Sequence, residues 1–222
     1  MEFQLTPSWR EFLGSKMQDP RILKLQENYF RALQKEVVYP PKHLLFNALD
    51  LISPDKIKII ILGQDPYIGS ERINGIKTPQ AMGLSFSVAR NFKVPASLAN
   101  IYEELRRTRN FTIPNHGDLS AWAQRGALLL NSILSVKEGE SRSHASFGWE
   151  FLSDFIISKI SQEFSGLYFL LFGNFARKKQ SLINPKKHII LQAPHPSPLA
   201  ARSGFSFIGS GVFKDVDFDF RL

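Results

Sequence analysis

The stretch Lys56-Ile57-Lys58-Ile59-Ile60-Ile61-Leu62 runs without a break into Gly63-Gln64-Asp65-Pro66-Tyr67-Ile68-Gly69. A short continuous apolar run that stops at Gly and Pro reads as a strand covered on both faces, because a half-exposed strand would alternate. Three further runs have the same character: ALLLN at residues 127–131, LYFLLF at 167–172 and HIILQA at 188–193. The segments between the runs have helical patterning, at residues 97–109, at 119–125 with Gly126 as the stop, at 148–164 and at 174–183. Upstream, Asp19-Pro20 supplies a cap and a first-turn proline for a helix whose apolar face is Ile22, Leu25, Phe30 and Leu33. Tyr39-Pro40-Pro41 ends that helix. Strands alternating with helices require right-handed crossovers. The expected fold is therefore α/β, one domain over residues 1–222, with a central, mostly parallel four-stranded sheet flanked by helices on both faces.

Composition agrees with that plan and removes several function classes. The 222 residues are 43% hydrophobic and 22% charged, and 19 are Phe, which suits a domain with a substantial core. There is no cysteine, so disulfides, thiolate-bound zinc and iron–sulfur clusters are excluded. None of the five histidines has a metal-binding spacing; no metal and no cofactor are expected. The N-terminal MEFQLTPSWREF has no apolar core of a leader, and no stretch approaches the length of a membrane span. The expectation is a cytoplasmic protein that acts as a monomer and away from membranes. The formal charge of +8 favours a polyanionic partner through counterion release, although charge alone identifies none.

In open α/β sheets, ligands bind beyond the carboxyl ends of the strands. Beyond the first run lies GQDPYIG, the second ends on Asn131, Gly173-Asn174 follows the third, and APHPSPLAA follows the fourth. Polar, Gly- and Pro-rich segments thus converge on one rim. Taken singly, each residue there has two readings. Asp65 caps a turn, or it is a fixed anion that orients water and stabilises developing positive charge. His195, rigidly flanked in PHPSP, is a satisfied structural group or a catalyst. Asn131 is a strand-end turn residue, or an amide reading the edge of a base. Phe86 and Tyr67 are core aromatics or walls of a pocket.

As a set, GQDPY, GLSFSV (residues 83–88), LLLN (128–131) and HPSPL (195–199) resemble, in the right order, the family 1 uracil-DNA glycosylases. The likeness extends through SWREFL, VVYPPKHLLFNAL, PASLANIYEEL, GDLSAWAQRGALLLNSILSV and SHASFGWE, and so covers nearly the whole chain. Missing cysteines argue against related glycosylase families that carry thiolate clusters. The resemblance implies an enzyme that hydrolyses the N-glycosidic bond of deoxyuridine in single- or double-stranded DNA, releasing uracil and leaving an abasic site, in base excision repair. It implies that Asp65 and His195 are catalytic, with Asp65 holding the water and His195 bonding uracil O2. Gln64, Tyr67, Phe86 and Asn131 would bind uracil: Phe86 stacks on it, Asn131 reads N3–H and O4, and Tyr67 excludes the thymine methyl. Leu199 would wedge into the space left by the flipped nucleotide. Ser97, Gly173, Asn174, Ser197 and Arg202 would grip the DNA backbone. Proteins that inhibit glycosylases are further candidate partners.

Three departures from the family pattern accompany the match. GQDPY is followed by Ile68 where the family has a phosphate-holding histidine; the connection from Tyr67 to Gln80, IGSERINGIKTP, is longer than usual and carries Glu71, Arg72 and Lys77. The usual Gly-Ser loop reads Gly173-Asn174, and the basic position after HPSPL reads Ser203, with Arg202 one residue earlier; the proline-rich loop is thinned to KVPAS. All of these bear on the DNA backbone more than on the base, so retained uracil specificity with an altered DNA grip is expected. Two alternatives are a catalytically weak DNA-binding or processivity subunit, and a glycosylase with altered base choice.

Overall fold

A computed structural model describes residues 2–201, 204 and 206–222. Among the described residues, eight strands follow in chain order: β1 (Val38–Tyr39), β2 (Ile59–Gly63), β3 (Ser70–Ile73), β4 (Ile76–Pro79), β5 (Ala127–Asn131), β6 (Val136–Lys137), β7 (Tyr168–Phe172) and β8 (Ile189–Ala193). The described residues also form the α-helices α1 (Pro7–Leu13), α2 (Pro20–Lys35), α3 (Asn47–Asp50), α4 (Ala96–Arg109), α5 (Ser120–Arg125), α6 (Trp149–Glu163), α7 (Gly173–Lys178) and α8 (Pro198–Ala201).

The central sheet has four strands in the order β5-β2-β7-β8, and all three pairings are parallel. Every residue of β2 and β5 is buried, so helices cover both faces, as a continuous apolar run requires. The fourth run behaves differently. Strand β8 lies at the sheet edge, and Ile189 is 43% exposed. Strand β5 is also at an edge and is fully buried, so β8 differs in being incompletely covered, which its apolar content alone does not reveal.

Helix α2 begins as its sequence dictates, with the Asp19 carboxylate accepting the Arg21 N–H at 3.0 Å and Pro20 in the first turn. It stops at Lys35, before the prolines, because Val38 and Tyr39 pair with Lys137 and Val136. The carboxyl-terminal run of helical patterning after β7 is split into α7 and a 3-10 turn at Lys179–Leu182.

The long connection after Tyr67 folds back on itself. Strands β3 and β4 form an antiparallel hairpin turning at Asn74-Gly75, both with positive φ (51° and 80°), the conformation that makes Asn-Gly a tight hairpin turn. Its base is closed by the Gln80 N–H donating to the Gly69 carbonyl at 2.9 Å.

Candidate active site

Parallel register brings the strand ends together. Gly63 at the end of β2 pairs with Asn131 at the end of β5. The chain continues from both in step: the Ser132 N–H donates to the Gly63 carbonyl at 3.0 Å, and the Ile133 N–H donates to that of Gln64 at 2.9 Å. Gly63 has a steric reason to be glycine, since a Cβ there would stand 2.1 Å from Asn131 Oδ1 and 2.8 Å from Ser85 Cβ. The amide of Asn131, 8% exposed, is thus seated against a bare Cα.

A cavity of about 380 Å³ opens at this rim, lined by Gly63, Gln64, Asp65, Pro66, Tyr67, Ile68, Ala81, Gly83, Leu84, Phe86, Ser97, Asn131, Ser141 and His195. It gathers every residue expected to carry catalysis or base recognition, together with Ser97. A larger depression of about 690 Å³ lies between Arg109 and the C-terminal residues 217–222. Arg109, Asp219 and Arg221 are engaged within the chain there, with Arg109 on the Val216 carbonyl at 2.6 Å and Asp219 on Arg221 at 2.8 Å.

Phe86 is held by its neighbours in sequence. Ser85 is stitched to the sheet by its N–H to the Leu129 carbonyl at 3.0 Å and its hydroxyl to the Ile61 carbonyl at 3.1 Å. Ser87 donates to the Gly117 carbonyl at 3.2 Å and accepts the Leu119 N–H at 2.9 Å. Between these two fixed serines Phe86 adopts φ +63°, a left-handed conformation that an aromatic residue keeps only when its surroundings over-determine it. The Tyr67 hydroxyl donates to the Phe86 carbonyl at 3.3 Å, and burial pushes that phenol well above its usual range. Tyr67 is therefore a neutral wall of the cavity.

His195 follows β8 and is fixed from three sides. Its Nδ1 accepts the Ser197 N–H at 3.1 Å. The Asn100 amide of α4 donates to the Pro196 carbonyl at 2.7 Å. Gly173, with φ +79°, leaves room where a Cβ would sit 2.8 Å from His195 Cβ. Burial holds the imidazole pKa below its ordinary value. With Nδ1 accepting, the neutral ring carries its proton on Nε2. The ring lies 6.2 Å from that of Phe86, which in turn sits 6.1 Å from Phe172.

Asp65 is held by residues not singled out from the sequence. Its Oδ2 accepts from the Ser141 hydroxyl at 2.7 Å and from the Arg142 N–H at 2.8 Å. Both lie in the loop after β6; their signal is a polar Gly/Ser stretch, EGESRS at residues 138–143, directly following Lys137 at the end of that strand.

The residues expected to grip DNA are placed less uniformly. Among the described residues, Gly173, Asn174, Ser197 and Leu199 lie outside the cavity lining. Gly173 serves as the seat of His195, and the Ser197 hydroxyl accepts the Leu199 N–H at 3.2 Å at the start of α8. Leu199 stands out from the surface, 69% exposed. Arg202 and Ser203 lie outside the described residues. Among the described residues there is no cluster able to hold a metal ion and no helix long and apolar enough to cross a membrane.

The uracil DNA glycosylase superfamily model matches residues 49–209. The uracil-DNA glycosylase of Helicobacter hepaticus is 48% identical over 217 residues, spanning 97% of this chain and 91% of that protein. That of Campylobacter jejuni strain RM1221 is 50% identical over 205 residues, spanning 92% and 85%. Among solved structures, mimivirus uracil-DNA glycosylase matches with a TM-score of 0.82 and 37% identity over 88% of this chain and 70% of that one. A variant of the mimivirus protein has been solved in complex with UGI. With a family model over residues 49–209 and relatives about half identical over most of both chains, the chain belongs to the uracil-DNA glycosylases.

Proposed function

We infer that this chain hydrolyses the N-glycosidic bond of deoxyuridine in DNA, and that the cavity at the rim is where it does so. The observation that carries the reading is one pocket uniting Asp65, Tyr67, Phe86, Asn131 and His195, with His195 arranged as a neutral donor. The nucleotide leaves the base stack at a cost on the order of a few kcal/mol, and its base enters the pocket. Phe86 stacks on the ring and is joined in the lining by Gln64. Asn131 accepts from N3–H and donates to O4, the reverse of what cytosine presents. Tyr67 blocks the space a thymine methyl would occupy.

The bond between C1′ and uracil N1 breaks with its electron pair leaving on the base. Negative charge gathers on uracil O2, where the His195 Nε2–H donates to it. Positive charge on the sugar faces Asp65, which also takes a proton from the attacking water as its oxygen bonds to C1′. The uracil anion is afterwards protonated by solvent. A preorganised donor of this kind typically supplies about 3–4 kcal/mol of barrier reduction.

Ser97, Gly173, Asn174, Ser197 and Arg202 are the residues proposed to hold the backbone, with the exposed Leu199 as the wedge. The net charge of +8 supports a polyanionic partner. Ile68 in place of the phosphate-holding histidine supports an altered grip and salt dependence. The substrate is single- or double-stranded DNA, the working form a monomer in the cytoplasm, and a UGI-like protein a fitting inhibitor. A pure DNA-binding subunit has no need of Asp65, Asn131 and His195 in one pocket, and Tyr67 speaks against a broadened base choice. Incubation with oligonucleotides containing U or T, followed by alkali, tests the reading: scission at U alone is expected, and its absence at ample enzyme overturns it.

A further inference from the structure

Asp65 and the inserted hairpin are held by the same short loop. From one end of that loop, the Ser141 hydroxyl and the Arg142 N–H both donate to Asp65 Oδ2, at 2.7 and 2.8 Å. Arg142 adopts φ +58°, a left-handed conformation unfavourable for a long side chain, and its N–H is one of the two aimed at Asp65. At the other end, Glu138 receives the Ser70 hydroxyl at 3.0 Å and the Lys77 ammonium at 2.7 Å. Ser70 belongs to β3 and Lys77 to β4, so one carboxylate joins both strands of the hairpin. Between the two ends, the Gly139 N–H donates to the Ile68 carbonyl at 3.0 Å. The loop is closed on itself by the Lys137 N–H donating to the Ser143 hydroxyl at 2.7 Å.

We propose that the loop from Glu138 to Arg142 is a brace that aims the Asp65 carboxylate, with Ser141 as its positioning residue and the hairpin as its outer anchor. Two donors on Oδ2 fix the rotation of the carboxylate and leave Oδ1 to meet water and sugar. A carboxylate directly after a Gly-Gln turn and before a proline has no helix or strand to hold its side chain, so an external clamp is what orients it. The hairpin then contributes to the chemical step through Glu138, at a distance from the base.

The inference rests on the glycosylase reading, and one assay separates the two. Single-turnover uracil release and affinity for an oligonucleotide carrying non-cleavable 2′-fluoro-2′-deoxyuridine are measured for the wild-type chain, Ser141→Ala, Ser141→Thr and Glu138→Ala. Misaiming a reacting group by a fraction of its working distance costs about 10- to 100-fold. Ser141→Ala is expected to lose that much in rate with affinity within about twofold, Ser141→Thr to regain most of it, and Glu138→Ala to lose severalfold in rate. Unchanged rate in Ser141→Ala, failure of Thr to restore it, or a loss in affinity alone overturns Ser141 as a positioning residue. An unaffected Glu138→Ala overturns the hairpin as anchor. No release by the wild-type chain overturns the glycosylase reading itself.

Discussion

The His195 ring accepts the Ser197 N–H through Nδ1 at 3.1 Å, and burial lowers its pKa. The two facts reinforce one another: a protonated ring would set N–H against N–H in a poorly solvated place. Uracil release should therefore be flat from neutral pH upward and fall as pH drops below the ordinary histidine range, about 6.5. The sign for stability is the same. Because the unfolded chain takes up this proton more readily than the folded one, stability rises with pH up to the unfolded pKa and is lost below it. A pH–rate profile of His195→Ala should be slower throughout and lack the acid limb that this group adds; a limb of the same size in the variant would remove His195 from that role.

Gly63→Ala places a methyl 2.1 Å from Asn131 Oδ1 and 2.8 Å from Ser85 Cβ, distances no packed Cβ tolerates. The amide of Asn131 has to turn away, and with it would go the bonds to the uracil edge proposed for it. A loss of roughly 2–3 kcal/mol in kcat/KM, on the order of 100-fold, is expected. Overpacking should also cost about 1–3 kcal/mol of stability. Steady-state kinetics alongside thermal unfolding distinguishes these contributions; wild-type kcat/KM in a folded variant would show that Asn131 is not seated by Gly63.

The parallel sheet was legible because β2, β5 and β7 are buried on both faces, and such strands advertise themselves as unbroken apolar runs. The motif residues were legible because strand ends in parallel sheets face one rim. What escaped was what lacks an apolar pattern. The hairpin of β3 and β4 has largely exposed or half-exposed side chains, so only Asn74-Gly75 marks it. The Ser141–Asp65 bond joins residues 76 positions apart, and no local spacing announces a contact of that kind. The seat that Gly173 provides for His195 is likewise a matter of two loops meeting.

Glu104 on α4 is fully buried, yet its two oxygens accept the N–H groups of Gly209 and Gly211 at 2.6 and 2.7 Å. One carboxylate thereby ties down the segment that follows α8, where Phe207 packs 5.0 Å from Phe172. Glu104→Gln keeps one acceptor but turns an amide against an N–H. Hydrogen bonds to charged groups are each worth about 1.5–3 kcal/mol, so a drop of roughly that size in unfolding free energy is expected from urea titration. A variant as stable as the wild type would mean that the glycine segment is held by its phenylalanines alone.

Tyr67 offers the sharpest test of base choice. Its ring packs beside Tyr39, Ala81 and Val136, and its hydroxyl is spent on the Phe86 carbonyl at 3.3 Å, so it cannot swing aside to admit a methyl without breaking that bond. Uracil and thymine differ by that methyl alone, and an attractive contact of one methylene discriminates by only about 1–3 kcal/mol. Strong rejection therefore needs a rigid steric block. Tyr67→Ala removes the proposed block and leaves Asn131, Phe86 and His195 in place, so the variant is expected to cut at T in a single-stranded oligonucleotide that the wild-type chain is expected to leave intact. Uracil release should slow by about 10- to 100-fold, because the wall proposed to hold the base in register is gone. Retained uracil release with thymine still untouched would shift the exclusion to Asn131 and the walls around it.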